Sequence, residues 1–184
     1  GADETVGGVV LFVSFDLINS TAFKNRSPYW PLVISRFYNL AVKEIQSLSD
    51  GFRVWKYVGD EVLLYKHVKS SDDLARDVSF IFKSVNSIVD ALDNSFSQFK
   101  NFLSVKGTAW LALVKKLPPQ DMEKLREYVD SGENKNKIQN IVIYPEGRIE
   151  TTAIDFLGPD VDIGFRISKF AHNRKLTVSA NLAR

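Results

Sequence analysis

Val9-Val10-Leu11-Phe12-Val13-Ser14-Phe15 is an almost unbroken run of β-branched and aromatic residues, and it ends on Asp16 before the polar stretch Asn19-Ser20-Thr21. A run of this kind, with no polar alternation, predicts a central strand covered on both faces rather than an edge strand with one wet side. Asp16 then closes that strand. A second carboxylate follows from the segment Lys56-Tyr57-Val58-Gly59-Asp60-Glu61. Residues 52–58 and 61–68 are both strand-like, and the Gly59-Asp60 pair between them is a two-residue hairpin signal that puts Asp60 at a loop tip. Two carboxylates at strand ends can meet across a sheet and hold Mg²⁺ or Mn²⁺ against a triphosphate.

Working outward, residues 30–48 keep helical spacing through Leu32, Val33, Phe37, Leu40, Ala41, Ile45 and Leu48, with Asp50-Gly51 as the stop. A second helix is predicted over 72–92, a short one near 96–102, and a strand over 103–114. The stretch around 115–137 reads as a surface insertion, with a break at Pro118-Pro119, a charged helix over 120–129 and a polar loop over 131–137. Strands over 138–144 and 150–157, a helix over 161–171 and a last strand over 176–179 complete the chain. The aromatic set Phe80, Phe82, Phe96, Phe99 and Phe102 reads as helix-packing surface. The order predicts an α+β sandwich.

Composition narrows the chemistry. The 184 residues are 45% hydrophobic and 12% aromatic, enough for one packed domain spanning 1–184. A net charge of only +2, from scattered basic residues, points away from nucleic acid and from a membrane surface and towards a small diffusible ligand. With no cysteine and only His67 and His172, thiol nucleophiles, thiolate metal sites and histidine-rich centres are excluded or poorly supported. The longest apolar run is far shorter than a membrane span, and no signal peptide precedes it. A cytoplasmic protein is expected.

Three segments taken together, Phe15-Asp16-x-x-x-Ser20-Thr21, Lys56-x-x-Gly59-Asp60-Glu61 and Gly158-Pro159-Asp160-Val161-Asp162-Ile163-Gly164-Phe165-Arg166, resemble the catalytic domain of class III nucleotidyl cyclases. The resemblance covers the chain from about Val9 to Ser179. It implies a β-α-α-β-β-α-β core and a head-to-tail homodimer with active sites at the shared interface. It also implies that Asp16, Asp60 and the Leu17 backbone carbonyl bind two divalent ions, Mn²⁺ or Mg²⁺, one activating the ribose 3′-hydroxyl and one holding the triphosphate. Arg166 would reach across from the partner subunit to the phosphate. Lys56 falls at a base-recognising position and Asp155 at its partner. Glu61 reads as a turn residue rather than a third ligand.

Closing a 3′,5′-cyclic phosphate needs an in-line attack by a sugar hydroxyl while pyrophosphate leaves, which positioning and charge neutralisation can drive without a protein nucleophile. Arg166 offers a planar fork for phosphate oxygens, and Asp162, four residues earlier, should share its helix face. The chain departs from the family where Asp162 replaces the usual ribose-orienting asparagine, since an ionised carboxylate accepts but cannot donate. The family's C-terminal segment, which supplies a further phosphate-binding lysine, would fall after Arg184, where the sequence stops.

Asp162-x-Gly164-Phe165-Arg166 and the aromatic strand Val54-Trp55-Lys56-Tyr57 look most like the pyrimidine cyclases of bacterial Pycsar antiphage defence. The expected reaction is UTP, with some CTP, to cyclic UMP or cyclic CMP. A lysine donor beside an aspartate acceptor suits uracil, cytosine or adenine equally, so the choice of base falls to bulk: Tyr57, Phe156 and Phe165 are the expected pocket walls. An adenylyl cyclase, or a catalytically silent cyclase-like dimerisation module, is the alternative.

Overall fold

The computed structural model describes residues 7–116, 140–143 and 154–183. The helix predicted over 120–129, the loop over 131–137 and the start of the strand predicted over 150–157 lie outside these residues. Within them the chain runs β1 (Gly8–Ile18), α1 (Ser20–Lys24), α2 (Trp30–Leu48), β2 (Arg53–Val58), β3 (Glu61–His67), α3 (Ser71–Ser95), β4 (Ser104–Lys116), β5 (Asn140–Ile143), β6 (Asp155–Leu157), α4 (Pro159–Ile167) and β7 (Leu176–Val178). The β-α-α-β-β-α-β core is present from β1 to β4, in an α+β fold with one mixed sheet.

The strand order is β2-β3-β1-β4-β5-β6, and β7 lies beside the first half of β4. β1 is central because both of its faces are apolar, and it pairs antiparallel with β3 on one side and β4 on the other. Leu11, Val13, Phe15 and Leu17 point to one face and pack with Phe37 and Ile45 of α2 and Ile81 and Val85 of α3. Val10 and Phe12 point to the other, where Trp55, Leu63, Trp110, Phe156 and the α4 residue Val161 form a second core. The alternation of one strand thus builds two hydrophobic layers.

The strand predicted to end before Asp16 continues to Ile18, because β4 supplies ladder partners as far as Ser104. Asp16 is therefore inside a paired strand. α3 runs as one helix to Ser95, started by the Ser70 hydroxyl, which accepts from the Asp73 amide at 3.1 Å. Phe80, Phe96, Phe99 and Phe102 do pack against the helix-side core, whereas Phe82 is half exposed.

α4 is held close to the sheet by Gly164. A methyl group built there would come within 2.2 Å of the Trp110 indole, a side chain with no exposure at all. Gly164→Ala is expected to lower the unfolding free energy by about 1–3 kcal/mol through overpacking, read as a fall in the urea midpoint without a change in slope. An unchanged midpoint would mean that α4 is free to lift.

Candidate active site

The carboxylates from β1 and the β2–β3 turn meet in one open cleft of about 620 Å³, lined by Asp16 to Ala22, Asn25, Asp60 and Lys106. Register explains the meeting: Asp16 stands directly opposite Glu61 on β3 and opposite Lys106 on β4, so the three side chains share a row and a sheet face. Gly59 takes a φ of 64°, the left-handed conformation that glycine tolerates at the first position of a tight hairpin turn. The turn is pinned to β1 by the Leu17 amide, which donates to the Asp60 carbonyl at 3.1 Å. The buried Ser20 hydroxyl donates to the Asp60 carboxylate, the Ser14 hydroxyl donates to Glu61, and Tyr38 of α2 donates its phenol hydrogen to the Gly59 carbonyl.

Two carboxyls of this row, Asp16 and Glu61, are shifted upwards by their surroundings. Burial pushes the Asp16 carboxyl above its usual range, the hydrogen bond and charge of Lys106 pull it back, and the Asp60 charge adds to the rise. Burial likewise raises Glu61, against the Ser14 hydrogen bond. Lys106 Nζ lies 3.0 Å from Asp16 Oδ2. Among the described residues no group of three or more His, Cys, Asp or Glu side chains is arranged as a metal cage. Two hard carboxylate oxygens with room for water and phosphate are instead the donor set that Mg²⁺ and Mn²⁺ accept. Leu17 lines the cleft, and since its side chain is buried in the helix-side core it can offer only its backbone.

On the same face of the sheet, Lys56 Nζ lies 3.1 Å from Asp155 Oδ1. That oxygen also accepts from the Trp55 indole N–H and from the Phe156 amide, each at 2.9 Å. The Lys56 ammonium sits 4.1 Å from the centre of the Trp55 ring. Sequence alternation alone would put Trp55 and Lys56 on opposite faces. A β-bulge between Val54 and Lys56 brings both onto the face of Leu63 and leaves Tyr57 paired with Val62 on the helix side. Tyr57 consequently packs on Tyr38 of α2, ring centres 4.5 Å apart, and does not adjoin Lys56 as the expected pocket wall would. Phe156 does lie under the Lys56–Asp155 pair, in T-shaped contact with Trp55 at 5.4 Å. Phe165 reaches both Trp55 and Trp110 at just over 6 Å.

Asp162 and Arg166 are both on α4 and both exposed. Asp162 contributes its amide to the Gly158 carbonyl at 2.9 Å, and neither side chain forms a hydrogen bond or ion pair among the described residues. His172 is exposed, while His67 is half-buried at the end of β3. Two residues at the site escaped the sequence reading. Lys106 is one, since a lysine inside an apolar strand carries no motif, and only the register with β1 aims it. Trp55 is the other, because the bulge that turns it has no residue signature here.

No protein-family model and no curated protein sequence matches the chain. Solved structures do match its fold. It is similar to the adenylyl cyclase CyaB from P. aeruginosa, with a TM-score of 0.67 and 11% identity over 95% of this chain and 78% of that one. It is also similar to the guanylyl cyclase Cya2, with a TM-score of 0.65 and 14% identity over 96% of this chain and 79% of that one. A third is the non-canonical dimeric guanylyl cyclase domain of the RhoGC fusion protein from the aquatic fungus Blastocladiella emersonii, with a TM-score of 0.52 and 12% identity over 95% and 81% of the two chains. The chain has the fold of the nucleotidyl cyclase catalytic domain.

Proposed function

We propose that this protein is a metal-dependent nucleotide cyclase that acts on a pyrimidine triphosphate, UTP before CTP. The observation that carries this is the placement of two polar sets on one face of a cyclase-type sheet: the Asp16 and Asp60 carboxylates in their cleft, and the Lys56–Asp155 pair beside Trp55 and Phe156. Asp16 and Asp60 would hold the divalent ions, which when bound would neutralise the triphosphate and lower the cost of ionising the 3′-hydroxyl. Arg166, exposed on α4 and unpaired among the described residues, serves the phosphate of the site on a second copy, and Asp162, one turn earlier on the same helix, is assigned to the ribose. The sequence resemblance adds the expected setting, a second-messenger synthase in antiphage defence.

Base choice follows from Asp155 and from volume. Its Oδ1 accepts three hydrogen bonds, and its Oδ2 accepts none among the described residues. That leaves one carboxylate oxygen for a base N–H, while Lys56 donates to the neighbouring carbonyl. Uracil offers this pair as N3–H and O4, and guanine offers the same pattern on a larger ring, so polarity does not separate them. We assign that separation to volume, and the packing beside the pair, with Phe156 only 3% exposed and Trp55 only 9%, favours the smaller ring. The test is incubation with each of the four NTPs and Mn²⁺, with products resolved by mass spectrometry. Cyclic UMP should dominate over either cyclic purine nucleotide by roughly 10–200-fold, the range that steric exclusion from a packed pocket supports. Cyclic AMP as the main product would replace this reading with an adenylyl cyclase, and no product from any NTP would leave only the silent module.

A companion pair of variants locates the wall. Trp55→Leu should raise the purine share of the product several-fold, whereas Tyr57→Ala, on the helix side of the sheet, should leave the product ratios within about twofold of wild type. A ratio that moves with Tyr57 and not with Trp55 would place the base elsewhere.

A further inference from the structure

Lys106 has no place in the reading above, and it occupies the position in the cleft with the most to decide. It projects from β4 two pairs from the end of the β1–β4 ladder, its ammonium reaches Asp16 Oδ2 at 3.0 Å, and its side chain keeps 21% of its surface open. Across the row stand Asp16 and then Glu61, with Asp60 on the adjoining turn, and of these the ammonium pairs with Asp16. It is the only cationic side chain among the described residues lining that cleft. An ammonium paired with Asp16 competes with any divalent ion that needs the same oxygen, because two cations sharing one carboxylate repel each other. A triphosphate reverses that penalty: it brings enough negative charge to take the ammonium as a partner and to leave Asp16 to the metal.

We infer that Lys106 is a resident counter-ion that couples metal binding to triphosphate binding: it holds Asp16 while the cleft lacks phosphate, and passes to the phosphate oxygens when metal and triphosphate enter together. The idea rests on the metal role proposed for Asp16 and Asp60 but not on the identity of the base. Its consequence is that the protein binds metal weakly alone and tightly with a triphosphate. In the variant lacking this charge, the carboxylates take metal readily and the coupling shrinks to what direct metal–phosphate contact supplies.

The experiment titrates Mn²⁺ into the full chain, followed by the electron paramagnetic resonance signal of free Mn²⁺, with and without inorganic tripolyphosphate. Tripolyphosphate is chosen because it carries no base, and its own Mn²⁺ affinity is measured separately and subtracted. Lys106→Met, close in length and uncharged, should bind Mn²⁺ alone about tenfold or more tightly than wild type and should lose most of the gain that tripolyphosphate confers. Lys106→Arg, which keeps the charge, should retain weak binding alone and the gain with tripolyphosphate. A lysine that only supports the strand would give Lys106→Met a lower melting temperature and no tighter metal binding, and that result overturns the inference. Should Lys106→Met fail to fold, Lys106→Gln is read by the same two numbers. If wild type and variants alike bind no Mn²⁺ under either condition, the metal role of Asp16 and Asp60 falls and this inference falls with it. Mn²⁺ binding that is coupled as described, in a protein that cyclises a purine, would sink only the choice of base.

Discussion

Asp60→Asn protein is expected to fold like wild type and to lose cyclisation by at least about 10³-fold, the several kcal/mol of transition-state charge stabilisation that a catalytic metal supplies. The amide keeps the shape and can still accept the Ser20 hydroxyl hydrogen, and the turn remains tied to β1 through the Asp60 carbonyl and Leu17 amide. What it loses is the charge. Asp16→Asn should fall as far in activity, at a stability cost of no more than about 1 kcal/mol for the partly exposed pair with Lys106. Cyclic nucleotide yield by mass spectrometry and the thermal unfolding midpoint are the two readouts. Full activity in either variant with Mn²⁺ present would remove the two-carboxylate mechanism, and a collapse of the midpoint would make the carboxylates structural.

Mixing two inactive proteins should restore activity. Arg166→Ala is expected to cost about 10²–10³-fold by removing a phosphate-directed donor, and it leaves the fold alone because the side chain is exposed and bonded to nothing among the described residues. If Arg166 of one copy serves the carboxylates of another, a heterodimer of Asp16→Asn and Arg166→Ala chains holds one intact site and one doubly broken site. Random subunit exchange then recovers about one quarter of the wild-type rate, since half the dimers are mixed and half of their sites are whole. The measurement is product formation against time after mixing, with exchange followed by a fluorescent label on one chain. Exchange without recovery would place Arg166 at the site of its own chain or at none.

The two predictions draw on residues of very different legibility. Asp60 could be placed from sequence because Gly59-Asp60 between two strand-like segments has few conformations open to it, and the structure has that turn with Gly59 at positive φ. Asp16 was legible as a carboxylate near the end of an apolar strand, although the strand runs two residues beyond it. Local chemistry sets where a strand can begin, but the partner strand sets where its ladder stops. Arg166 was placed on a helix predicted over 161–171, and α4 runs from Pro159 to Ile167, starting two residues earlier and ending four residues sooner.

The order of the elements and the central position of β1 are consequences of local pattern: unbroken or alternating apolar runs, helical stripes, and turn residues with restricted φ. Which side chains face one another across strands depends instead on how distant segments pair. The bulge between Val54 and Lys56 turned Trp55 towards Asp155 and sent Tyr57 to the helix side, and the β1–β4 register set Lys106 against Asp16. Facing and register are pairwise properties of segments far apart in the chain, Lys106 standing ninety residues from the carboxylate it holds. A shift of one residue in either would have carried the same sequence to the opposite face of the sheet.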